Sequence, residues 1–154
     1  MSVKTKALGE KLSTIAREKP LCVSESAAVS DVIALMRREH SHCALVIKGR
    51  RLAGIFTERD YLMKVFSQAD PSDKVGLFMT PEPIVGRIDE TIGEAVEVMN
   101  EKGVRNLPLT DEEGVPASLA TVGGLIRYLA DHFPVAVVNR PPDPHRIGTE
   151  MEGA

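Results

Sequence analysis

The sequence has little of what nucleic-acid-binding or disulfide-linked proteins depend on. It has no tryptophan and only 4% aromatic residues, so we do not expect a platform that stacks on bases. Lys and Arg total 19 against 22 Asp and Glu, a net charge of -3, which gives no basic excess for nucleic acid. Cys22 and Cys43 form no C-x-x-C arrangement, so we expect reduced, buried thiols rather than a disulfide or a redox pair.

Long apolar runs are also missing. No run approaches the roughly 18 residues that a membrane span needs, and the N-terminal stretch MSVKTKALGEKLS has lysines but no apolar core of a signal peptide. We therefore expect a cytoplasmic protein with no membrane partner. The 154 residues, 43% of them hydrophobic and 27% charged, suit one globular domain or two small repeats that share a core.

The chain contains two copies of one pattern. In VSDVIALM, apolar residues occur at i, i+3, i+4 and i+7, and the same spacing recurs 63 residues later in IGEAVEVM. This spacing predicts two amphipathic helices with one face in a core. The residues of that face are Val29, Val32, Ile33 and Met36 in the first copy, and Ile92, Ala95, Val96 and Met99 in the second.

The correspondence continues beyond the helices. EHSHCALVI aligns with KGVRNLPLT, and LAGIFT aligns with PASLAT once the second turn, DEEGV, has added a residue relative to KGRR. Each stretch predicts a strand, and an amphipathic helix follows in YLMKVF and in LIRYLA. With opening strands predicted at residues 21–23 and 84–85, each copy reads strand, helix, strand, strand, helix. A short helix is predicted earlier, within ALGEKLSTIA.

The stretch GIFTERD, residues 54–60, leads from an apolar segment into Thr-x-x-Asp. At a helix start this is the capping-box pattern, in which Thr57 and Asp60 satisfy backbone N–H groups. A carboxylate here is also suited to accept hydrogen bonds from the two hydroxyls of a ribose. The second copy has Thr121 but Gly124 in place of the acid, so a cap does not require the carboxylate. The residues leave both roles open, and the roles are compatible.

These features together, with GVRNLPLTDEEG and RLAGIFTERDYL, resemble the pair of cystathionine beta-synthase (CBS) domains called a Bateman module. The resemblance implies an α+β fold of two tandem CBS repeats, each β-α-β-β-α, packed with pseudo-twofold symmetry. It assigns residues 7–68 to the first repeat with its N-terminal helix and 73–133 to the second. The remaining residues, 134–154, are expected to form an extension that is partly extended or disordered.

The resemblance also implies a function. Such modules bind adenine nucleotides or related adenosyl ligands between their repeats and usually dimerise. We expect a stand-alone, non-catalytic sensor of AMP, ADP or ATP that forms a homodimer, needs no other cofactor and acts on an unidentified protein. The alternative is a structural interaction module with an empty cleft.

Site residues follow from the same resemblance. Thr57 and Asp60 would bind the ribose and phosphates, and Arg105 would be the phosphate cation. The other nominated residues are Ile55 as an apolar wall, Glu58 and Arg59 as near neighbours, His42 from the turn before the second strand, and Thr80, Ile84 and Val85 as the adenine lining. Because Gly124 replaces the acid, we predict one good site, not two.

Catalysis and metal binding are disfavoured. No nucleophile elbow, Walker loop or cofactor lysine accompanies Thr57 and Asp60. The stretch HSHC has metal-ligating residue types, but alternation along a strand would turn His42 and Cys43 to opposite faces. We predict neither an enzyme nor a metal site.

Overall fold

The computed structural model describes residues 3–16 and 19–133, so the extension predicted at 134–154 lies outside the described residues. The helices are α1 Val3–Gly9, α2 Leu12–Ile15, α3 Val29–Arg38, α4 Glu58–Asp60, α5 Ile92–Lys102 and α6 Val122–His132. A π-helix, Tyr61–Val65, continues α4, and a 3-10 turn covers Val75–Leu77. The strands are β1 Cys22–Ser24, β2 Cys43–Lys48, β3 Arg51–Thr57, β4 Thr80–Pro81, β5 Gly86–Arg87, β6 Asn106–Thr110 and β7 Pro116–Thr121.

The two repeats build two similar sheets. The first has strand order β1-β2-β3-β4 and the second β5-β6-β7. In both, the opening strand pairs parallel to the next one, which then forms an antiparallel hairpin with its successor. Gly49 and Gly114, at φ 65° and 80°, adopt the left-handed conformation that these hairpin turns require. The predicted α+β pair of repeats is confirmed.

Helix α3 packs in the first core and α5 in the second, and the buried face of each is close to the one predicted. Val29, Val32 and Met36 of α3 lie in the first core, and Ile92, Ala95 and Met99 of α5 lie in the second. The predicted core positions of both methionines are therefore confirmed. The fourth residue of each predicted face is less buried: Ile33 is half-buried and Val96 is exposed.

The segment before the first repeat packs on the second. Lys11 forms an antiparallel bridge with Thr91 at the start of α5. The Leu12 N–H then donates to the carbonyl oxygen of Glu90 at 2.8 Å. The Leu12 side chain is fully buried among the apolar residues of the second core.

The segment that leads into the second repeat packs on the first core in the same way. Each repeat thus receives the segment that leads into the other, which we call the exchange of opening segments. Lys74 bridges Ala28 at the start of α3, and the Val75 N–H donates to the carbonyl oxygen of Ala27 at 2.8 Å. Val75 is fully buried in the first core. Lys11 and Lys74 are separated by the same 63 residues as the repeats, so the exchange obeys the pseudo-twofold symmetry.

A third apolar cluster joins the two sheets. Cys43, Leu45 and Ile55 form it on the face of the first sheet that α3 does not cover, and Leu119 of the second sheet packs against it. The hairpins also meet, because the Leu52 N–H donates to the carbonyl oxygen of Gly114 at 2.9 Å. Strand β2 is consequently buried on both faces over its first four residues.

Several local predictions need correction. The opening strands begin one and two residues later than predicted, at Cys22 and Gly86, where pairing with β2 and β6 fixes them. The single N-terminal helix is two helices, because the bridge made by Lys11 interrupts it. Cys22 is exposed, and only Cys43 has the predicted burial. No helix within the described ranges is long and apolar enough to cross a membrane.

Candidate functional site

Asp60 is the centre of the candidate site, and it closes a capping box at the start of α4. Its backbone N–H donates to Thr57 Oγ1 at 3.2 Å. In return, Asp60 Oδ2 accepts from the Thr57 backbone N–H at 3.0 Å and from the Thr57 hydroxyl at 3.1 Å. The predicted N-cap position of Thr57 is thus confirmed. The one proton of the Thr57 hydroxyl is directed at Asp60 in this conformation.

The other carboxylate oxygen of Asp60 faces β4 and the π-helix. Oδ1 accepts from the Thr80 hydroxyl at 3.2 Å and forms an ion pair with the ammonium of Lys64 at 2.9 Å. The carboxylate therefore has three hydrogen bonds and one ion pair, with two contacts on each oxygen. Asp60 is 7% exposed and is the one buried Asp, Glu, Lys or Arg among the described residues. A buried carboxylate is retained only with such partners.

Lys64 is a site residue that the sequence analysis did not nominate. It stands four positions after Asp60, a spacing at which opposite charges meet on a helix, so the signal was available. Its ammonium also donates to the carbonyl oxygen of Phe78 at 3.2 Å. Lys64 therefore links the helix that starts at Thr57 to the segment that leads into the second repeat.

That segment is held against β3 by an unusually close backbone approach. Ile55 pairs with Thr80 and Gly54 with Pro81. A Cβ atom at Gly54 would overlap the sulfur of Met79 and lie 2.8 Å from the Thr80 carbonyl oxygen, so only glycine fits. This contact sets the position of the Thr80 hydroxyl beside Asp60.

His42 and Arg105 occupy equivalent places in the two repeats. The His42 carbonyl oxygen accepts from the Glu58 N–H at the start of α4, and the Arg105 carbonyl accepts from the Val122 N–H at the start of α6. The His42 ring nitrogen Nδ1 also lies 3.1 Å from Glu58 Oε1, in an exposed pair. The Arg105 side chain borders a groove between α5 and α6, of ≈ 530 Å³. We call the points where β3 leads into α4 and β7 leads into α6 the first and second junctions. The structure therefore brings His42 to the first junction, which contains Asp60, and places Arg105 at the second.

The remaining nominated residues fall into two groups. Ile55 is buried in the cluster between the sheets and borders the junction from within. Ile84 and Val85, which precede β5, are 38% and 45% exposed, and Arg59 is exposed as well. Exposed apolar side chains of this kind are free to line a cleft, and their roles stay predictions.

The second junction keeps the cap and lacks the acid. Thr121 Oγ1 accepts from the Gly124 N–H at 2.9 Å, the same contact that Thr57 makes with Asp60. Without a carboxylate at Gly124, the second junction has no acceptor for ribose hydroxyls at this position. The prediction of a single good site rests on this difference.

The thiol beside the junction is unreactive by position. Burial and, as the smaller cause, the Glu58 carboxylate together raise the pKa of Cys43 to about 11. Cys43 is thus a neutral packing residue at ordinary pH. In the part of the chain that the structure describes, no three His, Cys, Asp or Glu side chains are grouped to hold a metal ion.

Comparison with known proteins gives a consistent result. The model of the CBS domain family matches the chain twice, at residues 12–67 and 74–131. The CBS domain-containing protein CBSCBSPB1 of Arabidopsis thaliana is 39% identical over 107 residues, which are 67% of this chain and 20% of that protein. The chain spans between about a fifth and a half of the length of this and two other curated relatives that it matches.

Two solved structures share the fold at 25% identity. The crystal structure of CBSX2 in complex with AMP superposes with a TM-score of 0.68 and covers 80% of this chain and 98% of that one. The cytosolic domain of the Mg2+ channel MgtE in complex with ATP superposes with a TM-score of 0.66, covering 80% of this chain and 52% of that one.

Proposed function

Because the chain belongs to the CBS domain family, we propose that it is a regulatory module that binds an adenine nucleotide, AMP, ADP or ATP, and does no chemistry itself. The matching family model names no catalytic activity, and two proteins with the same fold were crystallised with AMP or ATP. The ligand site is the junction of Thr57 and Asp60, bordered by Thr80 from the opposite repeat.

The observation that carries this proposal is the buried carboxylate of Asp60. A side chain that serves only as a cap has no need of burial, as Glu94 shows in the exposed capping box of α5. Asp60 instead has Oδ2 within the capping box and Oδ1 on Thr80, which belongs to the segment that leads into the second repeat. A ribose that binds this carboxylate would contact the start of α4 and that segment at once.

Binding at such a junction can regulate a partner by population shift. A ligand that contacts both repeats favours the relative arrangement in which both contacts form, and a partner protein that distinguishes the arrangements then responds. We also propose that the active form is a homodimer. Its contacts would involve the helices, where Leu62, Met63 and Phe66 are 65% to 71% exposed.

Thermal unfolding with AMP, ADP, ATP and S-adenosylmethionine tests the proposal. A ligand at a hundred times its Kd contributes about 2.7 kcal/mol to the free energy of unfolding, which raises the Tm of a chain of this size by about 5 to 10 °C. Asp60→Asn should abolish the shift. Glu94→Gln is the matched control, since it alters the acid of a capping box away from the junction and should leave the shift unchanged.

A second candidate function is an interaction module whose cleft binds nothing. Two observations favour it: Lys64 and Thr80 already fill Asp60 Oδ1, and the π-helix leaves large apolar side chains exposed. If none of the four compounds at millimolar concentration moves the Tm of the wild-type protein, nucleotide binding by the wild-type protein is refuted and this second function is favoured.

A further inference from the structure

The ammonium of Lys64 occupies the position that a ligand of Asp60 needs. The Asp60 carboxylate accepts three hydrogen bonds, two of them from Thr57 within the capping box, and it also forms an ion pair with Lys64. The vicinal hydroxyls of a ribose bring two more donors, so some of the present donors must leave the carboxylate. Those on Oδ1, from Lys64 and Thr80, are the ones that do not hold the helix start together.

Of these two donors, Lys64 makes the contact that decides affinity. Its ammonium forms an ion pair with Asp60 Oδ1 at 2.9 Å, and the attraction between two opposite charges is stronger than a hydrogen bond from a neutral hydroxyl. Asp60 is almost fully shielded from water, with a side chain 10% exposed, so solvent does not screen the pair as it would on the surface. Lys64 itself is 43% exposed and can move its head group into water.

We propose that Lys64 is an affinity-determining residue that acts as an internal competitor of the ligand. In the free protein its ammonium neutralises the buried carboxylate, and a ribose binds only by displacing it from Oδ1. The same displacement separates Lys64 from the Phe78 carbonyl, and so unties the helix of the first repeat from the segment that enters the second. This inference rests on the proposed function, because it concerns the same carboxylate.

The test is the affinity for adenosine of wild-type protein and of Lys64→Met, measured by calorimetric titration. Adenosine carries the ribose and no phosphate, so a direct attraction between Lys64 and phosphate does not enter. Methionine keeps the apolar stem and removes the ammonium. We expect Lys64→Met to bind adenosine about tenfold more tightly, the effect of one partly buried ion pair present only in the free protein.

Two further variants separate competition from a change in folding or in net charge. Lys64→Arg keeps the cation and should bind adenosine within about threefold of wild type. Lys102→Met removes an exposed cation from the last turn of α5 and should have no effect. A mere structural role for Lys64 predicts the opposite sign, because a loosened site binds less tightly.

The outcomes for the two proposals are distinct. If wild type binds AMP while Lys64→Met binds adenosine no more tightly than wild type does, the competitor role is refuted and the proposed function stands. If wild type binds neither compound and Lys64→Met binds adenosine, Lys64 is the obstacle, as proposed. If both proteins bind neither compound, both proposals fail.

Discussion

Leu12 should stabilise the second repeat although it precedes the first in sequence. Its side chain is fully buried in the second core, beside residues such as Ile92, Met99 and Leu125. Truncation of a buried leucine costs about 2 to 5 kcal/mol. Helix α2 has only four residues, Leu12–Ile15, and can shift to close part of the cavity. We therefore expect Leu12→Ala to lower the free energy of unfolding by about 2 to 3 kcal/mol.

Urea denaturation measures that loss, and amide hydrogen exchange shows where it acts. Exchange in Leu12→Ala should accelerate most in α5, residues Ile92–Lys102, and much less in α3, residues Val29–Arg38. The matched control is Leu77→Ala, which removes the same atoms from a side chain that is 73% exposed. That change should stay within about 0.5 kcal/mol of wild type.

Two results would refute this reasoning. One is faster exchange in α3 than in α5, which would mean that the N-terminal helices belong energetically to the first repeat. The other is an equal loss of stability in Leu12→Ala and Leu77→Ala, which would mean that the packing of Leu12 on the second core contributes nothing.

Further expectations concern a buried thiol and two glycines. Because the pKa of Cys43 is raised to about 11 in the folded protein, its neutral form is favoured there; the resulting stability is present below pH 9 and is lost as the pH rises from 9 to 11. Cys43→Ala should flatten this part of the pH dependence, measured as the difference in urea unfolding between the two proteins, and an unchanged slope would exclude Cys43 as its source. Gly103 follows α5 in the left-handed conformation, at φ 64°, so Gly103→Ala should lower the free energy of unfolding by about 1 kcal/mol. Gly123→Ala should raise the free energy of unfolding by up to about 1 kcal/mol, since this helical glycine has open space around it. Thermal unfolding checks both variants, and a Tm that changes in the same direction in both would contradict the reasoning.

Comparison of the two repeats predicted most of the fold because each helix and strand could be recognised from the same residue spacing in both copies. The offset of 63 residues located α3 and α5, and their buried faces agree at Val29, Val32 and Met36 and at the matching positions of the second copy. The opening strands were misplaced because two- or three-residue strands carry no periodicity. Their position depends on the partner strand, and the partner is distant in sequence.

The exchange of opening segments is a feature that spacing could not reveal. Leu12 and Val75 look like ordinary apolar residues beside their own repeats, and only the topology shows which core receives them. At the candidate site, the pattern at Thr57 and Asp60 predicted the cap correctly. The contact of Lys64 with Asp60 is local and readable at i,i+4, but its significance depends on Thr80 and Phe78, which lie on another segment.

The exchange of opening segments also determines the order in which the two cores can form while the chain is being synthesised on the ribosome. The first core can close as soon as Val75 has emerged. Leu12, made much earlier, must wait for the helix that carries Leu125, a delay on the order of ten seconds at the usual rates of synthesis. During that time the apolar Leu12 side chain lacks the core that buries it, which makes the N-terminal segment one that a chaperone can bind.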